Sequence, residues 1–302
     1  MNLDDLTIFR TVVHEGGITR AAAKLHRVQS NITTRVRQLE AELGVDLFVR
    51  EGRRLTLAPA GRVLLNYTER LLALADEARL AVAGGSPQGS LRLGSMESTA
   101  AARLPRVLAD YHARYLDVQL ELRTGPSTPL VADVIDGRLD AALVSAPIDD
   151  PRLHCLPVFE EELLLITPAT QPAVGDPRDL QVRTLLTFAP GCAYRRHLEA
   201  WLAQAGVVPE RVVELSSYHA MFGCAAAGMG IALAPRSLVE LMPVDGVSLH
   251  SLPPKLARVT TVLARRRDTQ SPAADALAAL LTGRDSETAV ATGNIAAATQ
   301  TF

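Results

Sequence analysis

The chain has 302 residues, 48% apolar and 21% charged, which allows a sizeable buried core and two or three domains. With 31 Lys and Arg against 33 Asp and Glu, the formal net charge is −2, which excludes a molecule that is basic throughout, so any grip on nucleic acid must come from a local patch. Cys155, Cys192 and Cys224 are widely spaced, odd in number and without a C-x-x-C pair, which argues against a disulfide framework and a zinc ribbon. No metal and no other cofactor is expected.

The opening Met1-Asn2-Leu3-Asp4-Asp5 lacks a basic n-region and an apolar h-region, and no apolar run is long enough to span a bilayer. A cytoplasmic location and no membrane partner are expected. Leu6, Phe9 and Val13 recur at helical spacing and predict an amphipathic helix over 3–14, ended by Gly16-Gly17. A short second helix runs through Ala21-Ala22-Ala23 to Leu25. A third covers 29–43, with Ile32, Val36, Leu39 and Leu43 on one face and Gly44 closing it. Residues 47–50 and 55–57 read as two short strands around a basic turn. Pro59 opens a long helix to about Gly84. Its apolar residues Leu64, Tyr67, Leu71, Leu74, Ala78 and Ala81 step by three and four alternately, the seam of a helix that pairs along one stripe. The same pattern would suit a helix facing the core of a single globule.

Gly84-Gly85-Ser86-Pro87-Gln88-Gly89 is a turn-rich boundary. Beyond it strands and helices alternate: strand 91–94, helix 99–115, strand 118–123, helix 130–136, strand 141–145. This rhythm predicts a mostly parallel sheet covered by helices. A similar unit starts at Glu162, with strands at 163–166, 185–188, 211–214 and 230–234 and helices at 196–205 and 219–227. Two such lobes leave a cleft, and ligands of α/β sheets bind at the carboxyl ends of the strands. The tail from 284, rich in Ala, Thr, Ser and Gly, is expected to be disordered.

Residues 18–40 carry the sharpest functional signal. Two helices joined by a short turn can place the second in a DNA major groove. Arg20, Lys24, Arg27, Arg35 and Arg37 fall between 20 and 37 with no acid among them, and Gln29, Ser30, Asn31, Thr33 and Thr34 start the third helix. Short polar side chains there reach base edges, and Arg50, Arg53 and Arg54 of the hairpin add charge for phosphates. A three-helix packing unit with a solvated basic face would share some of these features.

The stretch Phe9–Gly61 resembles the DNA-binding domain of LysR-type transcriptional regulators. The matching residues are A-A-A-K-L at 21–25, L-E at 39–40, L-G-V-D-L-F-V-R at 43–50 and L-T-L-A-P-A-G at 55–61. G-R-L-D-A-A-L at 137–143, G-M-G-I-A-L-A-P at 228–235 and the Ser271-Pro272 helix start extend the likeness over the whole chain. The recognition helix departs from the common S-Q-P-A-L-S-R: here Val28–Thr34 reads V-Q-S-N-I-T-T. S-M-E-S-T-A-A at 95–101, Y-R-R-H at 194–197 and S-Y-H at 217–219 resemble a subgroup that includes a regulator of putrescine use.

The resemblance implies an α + α/β chain. A winged helix-turn-helix occupies 1–58, a coiled-coil linker helix 59–88 and a two-lobed, periplasmic-binding-protein-like effector domain 89–283. The lobes cover about 90–161 with 266–283, and about 162–265. It implies double-stranded operator DNA, a small-molecule effector and a second copy of the chain, as dimer or tetramer, for partners.

Candidate effector residues are Ser95, Glu97, Ser98 and Thr99 at the first strand–helix junction, and Thr124 and Ser127 after the second strand, with Gly125 and Thr128 beside them. Tyr194, Arg195, Tyr218 and His219 come from the other lobe. Ser98 and Thr99 equally suit helix capping. Arg195 and His219 favour a carboxylate and Glu97 an amine, so an amino acid, a carboxylate or an amine all remain open. No catalytic signature such as G-x-S-x-G, a Walker loop or H-E-x-x-H is present, and Ser216, Ser217 and His219 lack an orienting acid, so no enzyme is expected. The alternative is a solute-binding protein, which would leave the first ninety residues unexplained.

Overall fold

A computed structural model describes residues 1–51, 54–83, 86–243 and 245–283. The chain divides into two compact units, Met1–Gly85 with Asp136–Arg138, and Ser86–Ile135 with Leu139 onward.

In the first unit, α1 (Leu3–His14), α2 (Ile18–Lys24) and α3 (Gln29–Leu43) precede the strands β1 (Phe48–Glu51) and β2 (Arg54–Leu57) and the helix α4 (Pro59–Ala83). A capping box fixes the start of α1: the Asp5 N–H donates to Asn2 Oδ1 at 2.9 Å, and the Asn2 N–H donates to Asp5 Oδ2 at 3.3 Å. Ile8 and Val12 of α1 pack with Ala21, Ala22, Ile32 and Val36, so the apolar faces of three helices close one core. Gly44 ends α3 in the left-handed region at φ +69°, where a side chain would be strained. β1 and β2 form an antiparallel hairpin with Phe48 opposite Leu57. Glu40 ties this hairpin to α3, because its Oε1 accepts the N–H groups of Leu47 at 2.9 Å and Phe48 at 3.2 Å. Gly61 lets α4 pass close by: a Cβ there would stand 2.3 Å from the Leu47 carbonyl oxygen and 2.6 Å from Leu57 Cδ1. The glycine of L-T-L-A-P-A-G therefore has a packing cause.

In the second unit, β3 (Gly89–Ser95) leads to α5 (Glu97–Ala102) and α6 (Leu104–Arg114), then β4 (Val118–Thr124), α7 (Ser127–Ile135) and β5 (Ala141–Ser145). The single helix expected over 99–115 is broken at Arg103. Pro105 has no N–H to continue the ladder, and it sits in the first turn of α6. β6 (Leu153–Pro168) then crosses into the second lobe. There lie β7 (Thr184–Thr187), α8 (Ala193–Gln204), β8 (Arg211–Glu214), α9 (Tyr218–Ala226), β9 (Ala232–Pro235), α10 (Arg236–Val239), β10 (Val247–Ser251) and α11 (Pro254–Ala257). β11 (Arg258–Arg266) crosses back, and α12 (Pro272–Leu281) follows, capped by Ser271.

The sheets are mixed, not mostly parallel as the alternation suggested. β3 pairs parallel with β4 and β5, and β7 with β8, but β11 pairs antiparallel with β5 and β6, and β6 pairs antiparallel with β9 and β10. The cause is the two crossing strands, which run in opposite directions between the lobes. Their pairing puts Thr261–Arg265 beside β5, so the return to the first lobe begins near 258.

Both faces of each lobe are covered. Leu163 and Leu165 of β6 pack with Leu198 and Trp201 of α8, while Leu164 and Ile166 pack with Met221 and Phe222 of α9. The period-two alternation of a strand thus feeds two cores at once. In the first lobe, Leu91, Leu93 and Leu143 pack with α6 and α12, and Ala142 and Val144 pack with Leu130 and Val134 of α7. The 284–302 tail lies outside the described residues.

Candidate functional sites

The first candidate site is the face of α3. Its buried stripe is Ile32, Val36 and Leu39, which leaves Gln29, Ser30, Asn31, Thr34 and Arg37 exposed on the other side. Thr33 turns its hydroxyl inward along the helix and donates to the Gln29 carbonyl at 2.9 Å. Arg20 donates from Nη2 to the Gly16 carbonyl at 3.0 Å and from Nε to the Glu15 carbonyl, so its guanidinium caps the end of α1 and pairs with no carboxylate in doing so.

The structure differs from the expectation at Arg35. Its Nη2 lies 2.9 Å from Asp4 Oδ2 and 3.0 Å from Asp5 Oδ1, while Arg27 makes a two-pronged bond to Asp4 at 2.8 and 3.0 Å. These bonds, that from Arg27 foremost, hold the Asp4 carboxyl below its ordinary pKa. The run from Arg20 to Arg37 contains no acid, but α1 supplies two from outside it. Arg53 lies outside the described residues, and of Arg50 and Arg54 only the backbone is described, in the β1–β2 hairpin with Arg50 opposite Leu55.

The second site is the stripe of α4. Tyr67, Leu71 and Leu74 are 55%, 39% and 53% exposed, and Ala78 is exposed with them. Only Leu64 of the described seam is partly covered, and Leu72 and Thr68 on another face are buried. The seam is therefore not the core-facing side of a single chain; Ala81's side chain lies outside the description.

The third site is a cavity of about 510 Å³ between the two lobes of the second unit. Met96, Glu97 and Ser98 enter from the β3–α5 junction, Thr124, Gly125, Pro126 and Ser127 from the β4–α7 junction, and Tyr194 and Tyr218 from the first turns of α8 and α9. The carboxyl ends of two parallel strands thus meet the starts of two helices across the cleft. Its volume suits a small metabolite.

Other expected residues lie elsewhere. Ser95 is buried and donates to the Met96 carbonyl at 2.9 Å, and Thr99 is buried on α5; neither lines the cavity. Arg195 is committed to carboxylates: Nε donates to Glu199 Oε1 at 2.8 Å and Nη1 to Glu214 Oε1 at 2.8 Å. His219 is exposed on α9, one residue past the cavity wall. Phe188, Ala189, Cys192, Ala193 and Glu214–Ser216 complete the lining and were not foreseen. Glu214–Ser216 follow the strand 211–214, so the rule that picked Thr124 and Ser127 could have found them; the apolar members carry no such signal.

Burial dominates the chemistry of this wall. It raises the pKa of Tyr194 and Tyr218, against an opposing pull from Ser98, and keeps both hydroxyls neutral. Burial also pushes the Cys192 thiol up, which disfavours its thiolate. The Glu97 carboxyl is raised by burial, against the pull of His219 and a hydrogen bond from the Tyr218 backbone. Glu97 Oε2 is buried and has no hydrogen-bond partner among the described residues. The lobes also touch beside the cavity: the Thr128 N–H donates to the Gly191 carbonyl at 3.2 Å, and Arg196 Nη1 reaches Thr128 Oγ1 at 3.3 Å.

Among the described residues, no helix is long and apolar enough to cross a membrane and no group of side chains could hold a metal ion. The model of the bacterial regulatory helix-turn-helix protein, lysR family, matches residues 3–62, and that of the LysR substrate binding domain matches 84–286. The HTH-type transcriptional regulator GltR of Bacillus subtilis is 40% identical over 271 residues, 89% of this chain and 92% of that protein. Full-length OxyR from Pseudomonas aeruginosa has the same fold, with a TM-score of 0.70 at 23% identity over 93% of this chain and 94% of that one. Full-length CbnR complexed with its target DNA also matches, with a TM-score of 0.67 at 22% identity over 93% and 99% of the two chains. The chain belongs to the LysR family of bacterial helix-turn-helix transcriptional regulators.

Proposed function

We propose that this LysR-type regulator reads operator DNA with α3 and is controlled by a small molecule held between the lobes of its second unit. The observation that carries the reading is the exposed polar row Gln29, Ser30, Asn31, Thr34 and Arg37 on a helix whose other face is buried. Gln29, Ser30, Asn31 and Thr34 of this row contact base edges, while Arg37 joins Arg20, Arg50, Arg53 and Arg54 in meeting phosphates. Thr33 acts through its backbone bond to Gln29, and Arg35 holds α3 against α1. Relatives named as transcriptional regulators, one of them solved on its target DNA, support the assignment.

The working parts are a reader over 1–58, a linker helix over 59–88 and an effector domain over 89–283, the first lobe resuming near 258. The open stripe of α4 pairs with a second copy, so that the regulator works as a dimer or as a tetramer of such pairs. A ligand seated against Ser98, Thr124, Ser127, Tyr194 and Tyr218 biases the lobes toward one arrangement, which shifts how the paired readers meet DNA. No catalytic step is part of this reading, and the site of action is the cytoplasm, where promoter DNA lies. Fluorescence anisotropy with duplex DNA from upstream of its own gene tests it. Binding above that to a scrambled duplex, lost in Gln29→Ala, is the expected result; equal binding to both duplexes overturns it.

A further inference from the structure

The cavity between the lobes states what charge its ligand carries. Its lining holds two carboxylates, Glu97 and Glu214, and no Lys, Arg or His. Glu214 is already paired with Arg195 at 2.8 Å. Glu97 is not: one of its oxygens is buried without a partner, and His219, which draws on its carboxyl, is exposed and stands outside the lining.

A carboxylate ligand finds no cationic side chain in this lining. The starts of α7, α8 and α9 face the cavity, and helix starts ordinarily attract anions. At α9 and α7 some of these donors are engaged within the protein. The Tyr218 N–H of α9 bonds to Glu97 itself, and the Ala220 N–H donates to Ser217 Oγ at 3.3 Å. At α8 the Arg196 N–H donates to the Cys192 carbonyl at 3.3 Å, and the Cys192 side chain makes no capping hydrogen bond. The Thr128 N–H of α7 donates to Gly191 at 3.2 Å. Arg195 and Arg196, the cations in this first turn of α8, point to Glu199, Glu214 and Thr128. The apolar part of the wall is large, with Met96, Pro126, Phe188, Leu215 and two tyrosine rings.

From this inventory we infer that the effector bears a protonated amine that pairs with Glu97, on an apolar body that packs against Phe188, Tyr194 and Leu215. The inference rests on the cavity being the effector site. Leaving one oxygen of a buried carboxylate without a partner costs free energy, and a ligand ammonium removes that cost while contributing a charge-assisted hydrogen bond. Ser98, Thr124 and Ser127 then accept or donate to the remainder of the polar head.

The test is calorimetric titration of the full-length protein with a matched panel: the protein amino acids, the amines that result from removing their carboxylate, and the acids that result from removing their amino group. Two variants accompany the wild type. Glu97→Gln keeps the shape and removes the charge; Ala189→Trp fills the cavity from a loop position. The compounds that bind are expected to retain the ammonium, to lose roughly tenfold or more in affinity in Glu97→Gln, and to lose binding altogether in Ala189→Trp. Binding by the deaminated acids, or ammonium ligands that keep full affinity in Glu97→Gln, overturns the amine assignment and leaves the cavity reading standing, provided Ala189→Trp still abolishes it. Binding that survives Ala189→Trp, or none by any member at millimolar concentration, overturns the cavity reading as well.

Discussion

Placing charge on the α4 stripe should separate the paired regulator into single chains. Leu71 and Leu74 are 39% and 53% exposed in the single chain, so about half of each side chain remains to be covered by a partner. Full burial of a leucine contributes about 1.5–3 kcal/mol, so the half left open contributes about 1 kcal/mol per residue. Two residues on each of two copies give about 4 kcal/mol, or roughly a thousandfold in the dissociation constant. Leu71→Glu with Leu74→Glu adds repulsion between like charges across the seam. Neither side chain belongs to the buried cores, so each chain should stay folded. Sedimentation velocity across a micromolar concentration range reads the outcome, with circular dichroism as the check on folding. An assembly whose sedimentation is unchanged by the double substitution would refute the idea that this stripe holds two copies together.

Three further substitutions probe the other sites. Glu40→Ala leaves the Leu47 and Phe48 N–H groups without their acceptor and should cost about 1–3 kcal/mol in thermal or urea unfolding, most of it restored by Glu40→Gln; full stability in the alanine variant would show that the hairpin is held otherwise. Arg35→Ala should lower the stability of the reader unit while leaving the salt dependence of DNA binding nearly unchanged, whereas Arg37→Ala should weaken binding to all sequences and flatten the salt slope; a flattened slope in Arg35→Ala would return that residue to the phosphate contacts. The Glu97 carboxyl, raised by burial, favours the folded state only while protonated, so its penalty grows as pH rises from the ordinary carboxylate range through the raised value. Glu97→Gln should therefore melt higher than the wild type near neutral pH and no higher at a pH below the carboxylate range. A melting difference that does not vary with pH would show that the charge is not the cause.

Much of the first unit was legible because its signals are local. The apolar residues of α1 and α3 recur at helical spacing, Gly44 must take positive φ, and Pro59 opens α4. The second unit was harder where structure depends on distant partners. Leu153–Glu161 contains Pro157 and ends on two successive glutamates, and the sequence pattern predicts no strand there, yet it is a strand because β11, a hundred residues later, pairs with it. β11 was itself overlooked. Ser98, Thr124, Ser127, Tyr194 and Tyr218 were found because strand ends and helix starts can be read from a sequence. Where a long side chain ends cannot. Arg195 seemed free to meet a ligand, although Glu199 four residues on was a visible partner; Glu214 was visible only once β8 lay beside β7. The same holds for Arg35, whose partners come from α1.

The most direct test of the account is competitive DNA binding at moderate salt. Full-length protein is titrated onto a labelled duplex from upstream of its own gene, with unlabelled specific or scrambled duplex as competitor. The account predicts that the specific duplex competes far better, that Gln29→Ala and Asn31→Ala erase the difference, and that the preference shifts when a cavity ligand is added. Equal competition by both duplexes, with or without ligand, would contradict it.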